Sequence, residues 1–161
     1  MSNKPIELFS SGNILFVENY DFGNAIPTRD KYLIVLHTSN NSTFLIHSLT
    51  TSQIKVPPNK INHGCTNNED DGLSFYMFES GRVIGLTKEY SFPKNTFIFF
   101  QSNIHKNPIS HFDKYVNNNQ IELVDKLTYK EFKRLLKCAI KSFTIRRDMK
   151  KLLVEQLELL G

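Results

Sequence analysis

One stretch of sequence decides the fold: Tyr32-Leu-Ile-Val-Leu-His37, then Ser39-Asn-Asn-Ser42, then Thr43-Phe-Leu-Ile-His-Ser-Leu49. The first run is dense in aromatic and β-branched residues, which is typical of a strand covered on both faces. The Ser/Asn segment is typical of a hairpin turn, because Asn tolerates the positive φ angles that such turns require. The sequence therefore predicts a β-hairpin with Thr43–Leu49 as its return strand.

Shorter apolar runs extend the strand pattern on both sides of this hairpin. The further predicted strands are Asn13–Val17, Ser74–Glu79, Val83–Leu86, Thr96–Gln101 and Gln120–Val124. Between them, the polar stretch Thr50–Gly72 predicts a long loop, and residues 102–118 predict another. A loop as long as the first is uncommon in a compact domain and is usually functional or mobile.

Two amphipathic helices are predicted at the C-terminal end. Thr128-Tyr-Lys-Glu131 matches a capping box, in which Thr and Glu side chains satisfy the first unpaired backbone amides. The apolar face behind it has a 3.6-residue period and consists of Phe132, Leu135, Leu136, Ala139, Ile140 and Phe143. A second helix, from about Ile145, aligns Met149, Leu152, Leu153, Leu157 and Leu160 in the same way.

Five to seven short strands followed by two terminal helices indicate a mainly β fold with C-terminal helices. We expect a strongly bent sheet or partly open barrel, with one helix over its open end covering strand edges that would otherwise invite aggregation. At 161 residues the chain is predicted to form a single domain, 1–161. Its strand-rich body spans about 10–125, and its helical tail spans 126–161.

The positive charge of the chain is concentrated in that tail. Residues 126–151 hold ten Lys or Arg against two acids, a net +8, which leaves −4 for the rest of a chain whose total is +4. A basic stripe is compatible with a nucleic-acid or an acidic-protein partner. It is equally compatible with the solvated outer face of amphipathic helices.

The cysteines and the apolar runs predict a cytoplasmic location without a membrane partner. Cys65 and Cys138 are the two cysteines, and they lie far apart without metal-like spacing, so we expect no disulfide scaffold. No apolar run approaches the roughly 20 residues needed to cross a bilayer. The first ten residues lack the pattern of a signal peptide.

The segment from Gly12 to Ser52 resembles the MazF/PemK (Kid) family of toxin ribonucleases. The matching runs are Gly12-Asn13-Ile-Leu-Phe-Val17, Phe22-Gly23-Asn-Ala-Ile-Pro-Thr-Arg29-Asp-Lys31, Tyr32–His37, Asn40-Asn41 and Leu49-Thr50-Thr51-Ser52. The Asp125-Lys126-Leu127-Thr128 entry into a helix is also similar. The family's Arg-Pro pair is absent, since Arg29-Asp30-Lys31 stands in its region, and the chain is longer than typical family toxins.

This resemblance implies an SH3-like barrel that cleaves single-stranded RNA without a metal or other cofactor. It further implies a homodimer that is silenced by an antitoxin-like protein lying across the RNA groove. The catalytic residues would be Arg29, which stabilises phosphorane charge, and Thr51, which places or shifts protons around the 2′-hydroxyl. Lys31, Thr50 and Ser52 would bind substrate, with Lys31 and Ser52 as alternates for the catalytic pair.

The hairpin independently predicts where these residues meet. Its first strand enters at the end where its second strand leaves, so positions 29–31 and 50–52 should be neighbours in space. A charged loop beside Thr and Ser residues at a strand end would look the same in sequence. His37, His47 and His63 are further candidates for proton transfer. His63 with Cys65 could bind a metal or form a nucleophile pair, but nothing nearby completes four ligands.

Two other functions fit the same residues. The missing Arg-Pro pair and the basic tail favour a non-catalytic barrel that binds nucleic acid or a protein partner. Relatives that share this fold and poison DNA gyrase act through their C-terminal helix rather than through a cleft, and the sequence does not separate them from the ribonucleases.

Overall fold

The computed structural model describes residues 7–54 and 56–161, which form two antiparallel sheets with helices packed against them. The strands are β1 (Asn13–Tyr20), β2 (Arg29–Thr38), β3 (Phe44–Leu49), β4 (Gly64–Asn68), β5 (Leu73–Phe78), β6 (Thr96–Phe99), β7 (Ile104–Pro108) and β8 (Ile121–Lys126). The larger sheet has the order β7-β3-β2-β1-β8, and the smaller has the order β4-β5-β6. The predicted mainly β fold with C-terminal helices is confirmed, and neither described sheet closes on itself as a barrel.

The predicted hairpin is present as β2 and β3, which pair with Leu33 opposite Leu49. The Ser39 hydroxyl organises the turn by accepting hydrogen bonds from the backbone N–H groups of Thr43 and Phe44 (3.0 and 3.1 Å). Ser42, rather than either Asn, adopts a positive φ of 56°. The turn chemistry was therefore predicted correctly, although the residue that takes the left-handed conformation was not.

Strand β2 is buried on both faces, as its dense apolar run predicts. Leu33 and Val35 join a cluster that includes Leu15, Leu45, Phe112 and Tyr115. Ile34 and Leu36 face the opposite side and pack into the main core, with residues of the smaller sheet and of the C-terminal helices. The larger sheet is thus covered on both sides.

The described residues form three α-helices: α1 (Asp113–Asn117), α2 (Tyr129–Lys141) and α3 (Arg147–Leu160). The Thr128 hydroxyl caps α2 by accepting from the Glu131 N–H (3.2 Å). The buried face of α2 consists of Phe132, Leu135, Leu136, Cys138 and Ala139, together with the carboxylate-bearing Glu131. Both predicted terminal helices are therefore confirmed, and no helix among the described residues is long and apolar enough to cross a membrane.

Several local predictions were wrong. The described part of the chain contains eight strands rather than five to seven, because β4 and β7 lie in segments predicted as loops. Both are edge strands of their sheets, and their largely polar sequences lack the apolar alternation that marks a buried strand. The predicted strand Val83–Leu86 is absent, since only an isolated bridge joins Gly85 to Leu127.

The sequence led us to expect no disulfide scaffold, but Cys65 and Cys138 form a disulfide across 73 positions of sequence. The bond joins β4 to α2. Sequence spacing could not reveal this pair, since β4 itself was predicted as loop and its position beside α2 depends on the tertiary fold.

Candidate functional site

The predicted catalytic residues meet in an open cleft at one end of the hairpin. The cleft has a volume of about 240 Å³ and is lined by Phe22, Ile26, Arg29, Lys31, Thr51, Gln53, Phe99, Ser102 and Asn103. We call it the Arg29 cleft. The expected proximity of positions 29–31 to positions 50–52 is therefore present in the fold, while the catalytic roles of these residues stay predictions.

Arg29 and Lys31 reach the cleft because β2 begins earlier than the sequence predicts. Both residues lie within the strand and pair with β1, Arg29 opposite Tyr20 and Lys31 opposite Val17. Side chains two positions apart in a strand point to the same face, so both cations line one wall. Arg29 is exposed, and no acid among the described residues lies within ion-pair distance of it.

The ring of Phe22 lies beside both cations. The Arg29 guanidinium carbon is 5.9 Å and the Lys31 Nζ is 6.0 Å from the ring centre. These distances allow cation–π attraction, which restricts where the two charges can point. Sequence reasoning did not identify Phe22, although its place in a polar, glycine-containing segment just before the two cations is a usable signal.

Thr51 lines the cleft and has a fixed backbone. Its N–H and C=O both pair with Phe97 (2.9 and 2.7 Å). Its hydroxyl accepts from the Gln53 N–H (3.2 Å) and donates to no protein atom that the structure describes. That hydroxyl is therefore placed to donate to a ligand held between the cations.

Thr50 and Ser52 differ from Thr51 in position. Thr50 is buried, with its hydroxyl donating to the carbonyl of Tyr32 (3.0 Å), so that side chain is committed to the fold. The carbonyl of Thr50 accepts from Lys31 Nζ (3.0 Å). Ser52 and Thr50 line a neighbouring pocket of about 270 Å³, which Lys31 also borders. Of the three hydroxyl residues predicted for the site, only Thr51 faces the Arg29 cleft.

Among the residues that the structure describes, the lining of the Arg29 cleft contains two cations and several neutral hydrogen-bonding groups, but neither a carboxylate nor an imidazole. Asn103 is held in place, because its side-chain oxygen accepts from the Phe99 N–H (2.8 Å). Such an arrangement can bind an anion and stabilise negative charge that develops on it. It supplies no obvious group for taking up a proton near neutral pH.

The histidines that the sequence offers as proton-transfer candidates lie elsewhere and are held by the fold. His37 is buried, with Nδ1 donating to Gln156 Oε1 (3.0 Å). His63 Nδ1 accepts from the Glu79 N–H (3.1 Å), so Nε2 carries the proton that it donates to Glu131 (2.8 Å). His47 is fully buried, and burial, helped by the nearby His105 and His111, lowers its pKa to about 3.

His63 and Cys65 are the residues that the sequence offers as a metal site or a nucleophile pair. In the parts of the chain that the structure covers, no three His, Cys, Asp or Glu side chains are grouped so that they could hold a metal ion. Cys65 is instead bonded to Cys138, so the alternative of a nucleophilic His63–Cys65 pair does not hold in this structure.

Comparison with known proteins adds no family assignment: neither a protein-family model nor a curated protein sequence matches this chain significantly.

Proposed function

We propose that this protein binds single-stranded RNA in the Arg29 cleft and cleaves it without a metal ion. The observation that supports this most directly is that Arg29, Lys31 and Thr51 all line one open cleft. Arg29 and Thr51 are also the residues that the MazF/PemK resemblance marks as catalytic.

Each side chain in the cleft has a distinct part in this proposal. Arg29 binds the scissile phosphate through two N–H groups and stabilises the extra negative charge of the phosphorane. Lys31 contributes a second positive charge at the same end of the strand. Thr51 donates a hydrogen bond that orients the attacking 2′-hydroxyl. Phe22 and Phe99 give the cleft apolar walls against which an unpaired base can stack.

The absence of an imidazole or carboxylate from the cleft lining restricts the chemistry. The proton of the 2′-hydroxyl must leave to water or hydroxide rather than to a protein base. We therefore expect the cleavage rate to increase steadily with pH between about 6 and 8.5, without the bell shape that a paired acid and base produce.

The resemblance also supports proposals about partners. We propose that the protein works as a homodimer and that an antitoxin-like protein covers the cleft. An acidic segment would suit this purpose, because the described lining of the cleft includes Arg29 and Lys31 and no acid.

Incubation of the purified protein with a long unstructured RNA in the presence of EDTA tests the ribonuclease proposal. Arg29→Ala should reduce cleavage by about 10²–10³ fold, because it removes the main charge that stabilises the transition state. Thr51→Val keeps the backbone pairing with Phe97 and should reduce cleavage by about tenfold. Arg82→Ala removes an exposed arginine that forms a surface ion pair with Glu79 (3.6 Å), so it is the matched control and should cleave normally. Intact RNA at high concentrations of folded protein would contradict the proposal.

A specific observation favours a second function, non-catalytic binding of nucleic acid along α2. Arg134, Lys137 and Lys141 are exposed on this helix and border one pocket. Binding that falls steeply with salt, yet survives Arg29→Ala and Thr51→Ala in a chain that leaves RNA intact, would support this function over the first.

A further inference from the structure

A pocket between β4 and α2 has the Cys65–Cys138 disulfide in its wall. Its volume is about 320 Å³, and Arg134, Lys137 and Lys141 also line it. The Arg29 cleft shares no lining residue with it. The disulfide therefore lies outside the cleft in which the proposed cleavage takes place.

The pocket forms where side chains from alternate positions of one extended segment meet one face of α2. Alternate positions of an extended segment point the same way, and His63, Cys65 and Asn67 all meet the helix. His63 donates to Glu131 near the start of α2 (2.8 Å), and Asn67 Nδ2 donates to the carbonyl of Cys138 (3.1 Å). The disulfide is therefore placed between two non-covalent contacts that hold β4 against α2.

The two sulfur-bearing residues differ in accessibility. Cys65 is exposed, whereas Cys138 is only 1 % exposed and belongs to the main core. A reagent entering the pocket from solvent therefore meets the Cys65 side of the bond first. In thiol–disulfide exchange, attack on one sulfur releases the other as a thiolate, so Cys138 would be the leaving group.

An amide donor and two cations lie near the bond, although the Phe75 carbonyl oxygen also lies 3.6 Å from Cys138 Sγ. Asn67 Nδ2 lies 3.5 Å from Cys65 Sγ and 3.7 Å from Cys138 Sγ, within the range of N–H···S hydrogen bonds to both. Arg134 and Lys141 lie four residues before and three residues after Cys138, so they flank it on the helix surface. None of the three lysine and arginine side chains forms an ion pair with an acid in the described ranges.

We propose that Cys65–Cys138 is a redox-active disulfide that exchanges with small anionic thiols. The thiolate of such a molecule attacks Cys65 Sγ, which forms a mixed disulfide on Cys65 and breaks the Cys65–Cys138 bond. The bonding electron pair leaves with Cys138 Sγ as a thiolate. A second thiolate then attacks the bound small-molecule sulfur and releases the Cys65 thiolate with one oxidised small-molecule disulfide. Two electrons thus pass from two thiols to the protein disulfide, and the reverse sequence restores it.

The charge of the thiol is the variable that tests this proposal. The full-length protein is treated with 2-mercaptoethanesulfonate, which is anionic, or with neutral 2-mercaptoethanol, and exchange is quenched by alkylation and followed by mass spectrometry. Each rate is divided by the concentration of the thiolate form of the reagent, so that the two reagents are compared at equal amounts of the reactive species. At low salt we expect the sulfonate to react about tenfold faster, with the mixed disulfide on Cys65, and the difference to fall to nearly nothing at about 1 M salt.

Two charge-matched variants separate the pocket from the overall charge of the chain. The triple change Arg134→Gln, Lys137→Gln and Lys141→Gln should abolish the preference for the sulfonate. The change Arg147→Gln, Lys150→Gln and Lys151→Gln removes the same charge from α3, outside the pocket lining, and should retain the preference. If the wild-type chain reacts with both reagents at the same rate per thiolate, the proposal is overturned. This comparison does not depend on whether the variants fold. A disulfide that stays intact in both thiols, or a mixed disulfide on Cys138, would overturn the proposal as well.

Discussion

Gly85 lies so close to the carboxylate of Asp125 that no side chain fits at this position. A β-carbon built at Gly85 would clash with Asp125 Oδ2 and would lie 2.7 Å from the backbone nitrogen of Tyr90. The carboxylate cannot move away easily, since it accepts from the N–H groups of Thr87, Lys88, Tyr90 and Lys126 (2.7–3.1 Å). Although burial disfavours its charge, these donors lower the pKa of Asp125. Gly85 therefore provides the space in which the loop wraps around Asp125.

Gly85→Ala should consequently lower the free energy of unfolding by about 2–3 kcal/mol, because either the carboxylate or the loop must shift. Urea denaturation at neutral pH measures the loss. Lys88→Ala, an exposed change in the same loop, should stay within about 0.5 kcal/mol of wild type. Equal stabilities for the two variants would mean that the loop accommodates the methyl group without strain.

His47 makes a second residue-level prediction, which concerns pH. It is fully buried, and neither ring nitrogen has a hydrogen-bond partner among the described atoms. Its pKa is lowered to about 3, first by burial and then by His105 and His111, whose own pKa values burial also lowers. Between about pH 6.5 and 3 the unfolded chain therefore binds a proton at this position that the folded chain does not.

Since the unfolded state binds more protons in that window, the free energy of unfolding should fall as the pH falls below about 6.5. The contribution of His47 alone is about 1.4 kcal/mol per pH unit. Urea denaturation from pH 7 to 5 measures this slope, and His47→Leu should reduce it. An unchanged slope in His47→Leu would assign the acid sensitivity to other groups, such as His105 and His111.

At the level of elements, α2 is attached to the smaller sheet through a residue whose role the sequence misassigned. The capping-box pattern predicts that the Glu131 carboxylate turns back to the start of the helix. Instead, Glu131 is 7 % exposed, and its Oε2 accepts from the Tyr76 hydroxyl (2.6 Å) and from His63 (2.8 Å). Only the Thr128 half of the capping box forms. Glu131 thus joins α2 to β5 and to the segment before β4.

Glu131→Ala should therefore destabilise the protein more than Thr128→Ala. The first change leaves the buried Tyr76 hydroxyl without its acceptor and should lower the free energy of unfolding by about 2–3 kcal/mol. The second removes an N-cap and should cost about 1 kcal/mol. Parallel urea titrations measure the loss of unfolding free energy in each variant. A larger loss for Thr128→Ala than for Glu131→Ala would indicate that capping is the more important contribution.

The elements that the sequence predicted are those whose pattern is local. The β2–β3 hairpin and the two terminal helices carry periodic apolar residues and turn or capping residues within a single segment. By contrast, β4 and β7 are polar edge strands whose pairing depends on a neighbouring strand. The same distinction applies to the sites. Arg29 and Thr51 could be placed together from the hairpin alone, whereas Cys65 and Cys138 meet only because the fold brings β4 to α2.

At the scale of the whole molecule, two separate pockets are lined by cations, and under the proposed function both could bind RNA. The Arg29 cleft holds two cations at the end of the hairpin, and the pocket beside α2 holds three more. If RNA contacts only the cleft, the α2 cations are a solvated helix face. If RNA also follows α2, each phosphate contact there releases counterions and steepens the dependence of affinity on salt.

The salt dependence of binding therefore distinguishes these two arrangements, and we expect RNA to contact both. For single strands, each neutralised phosphate changes the slope of log affinity against log salt by about 0.7. Removing Arg134, Lys137 and Lys141 by substitution with Gln should thus reduce the slope by about 2, provided that each cation neutralises one phosphate. Fluorescence anisotropy with a labelled single-stranded RNA measures it, using Thr51→Val as the background so that cleavage is slow. The α3 triple variant carries the same change in net charge and should keep the full slope. If both triple variants kept the full slope of log affinity against log salt, RNA would contact the Arg29 cleft and not the α2 cations.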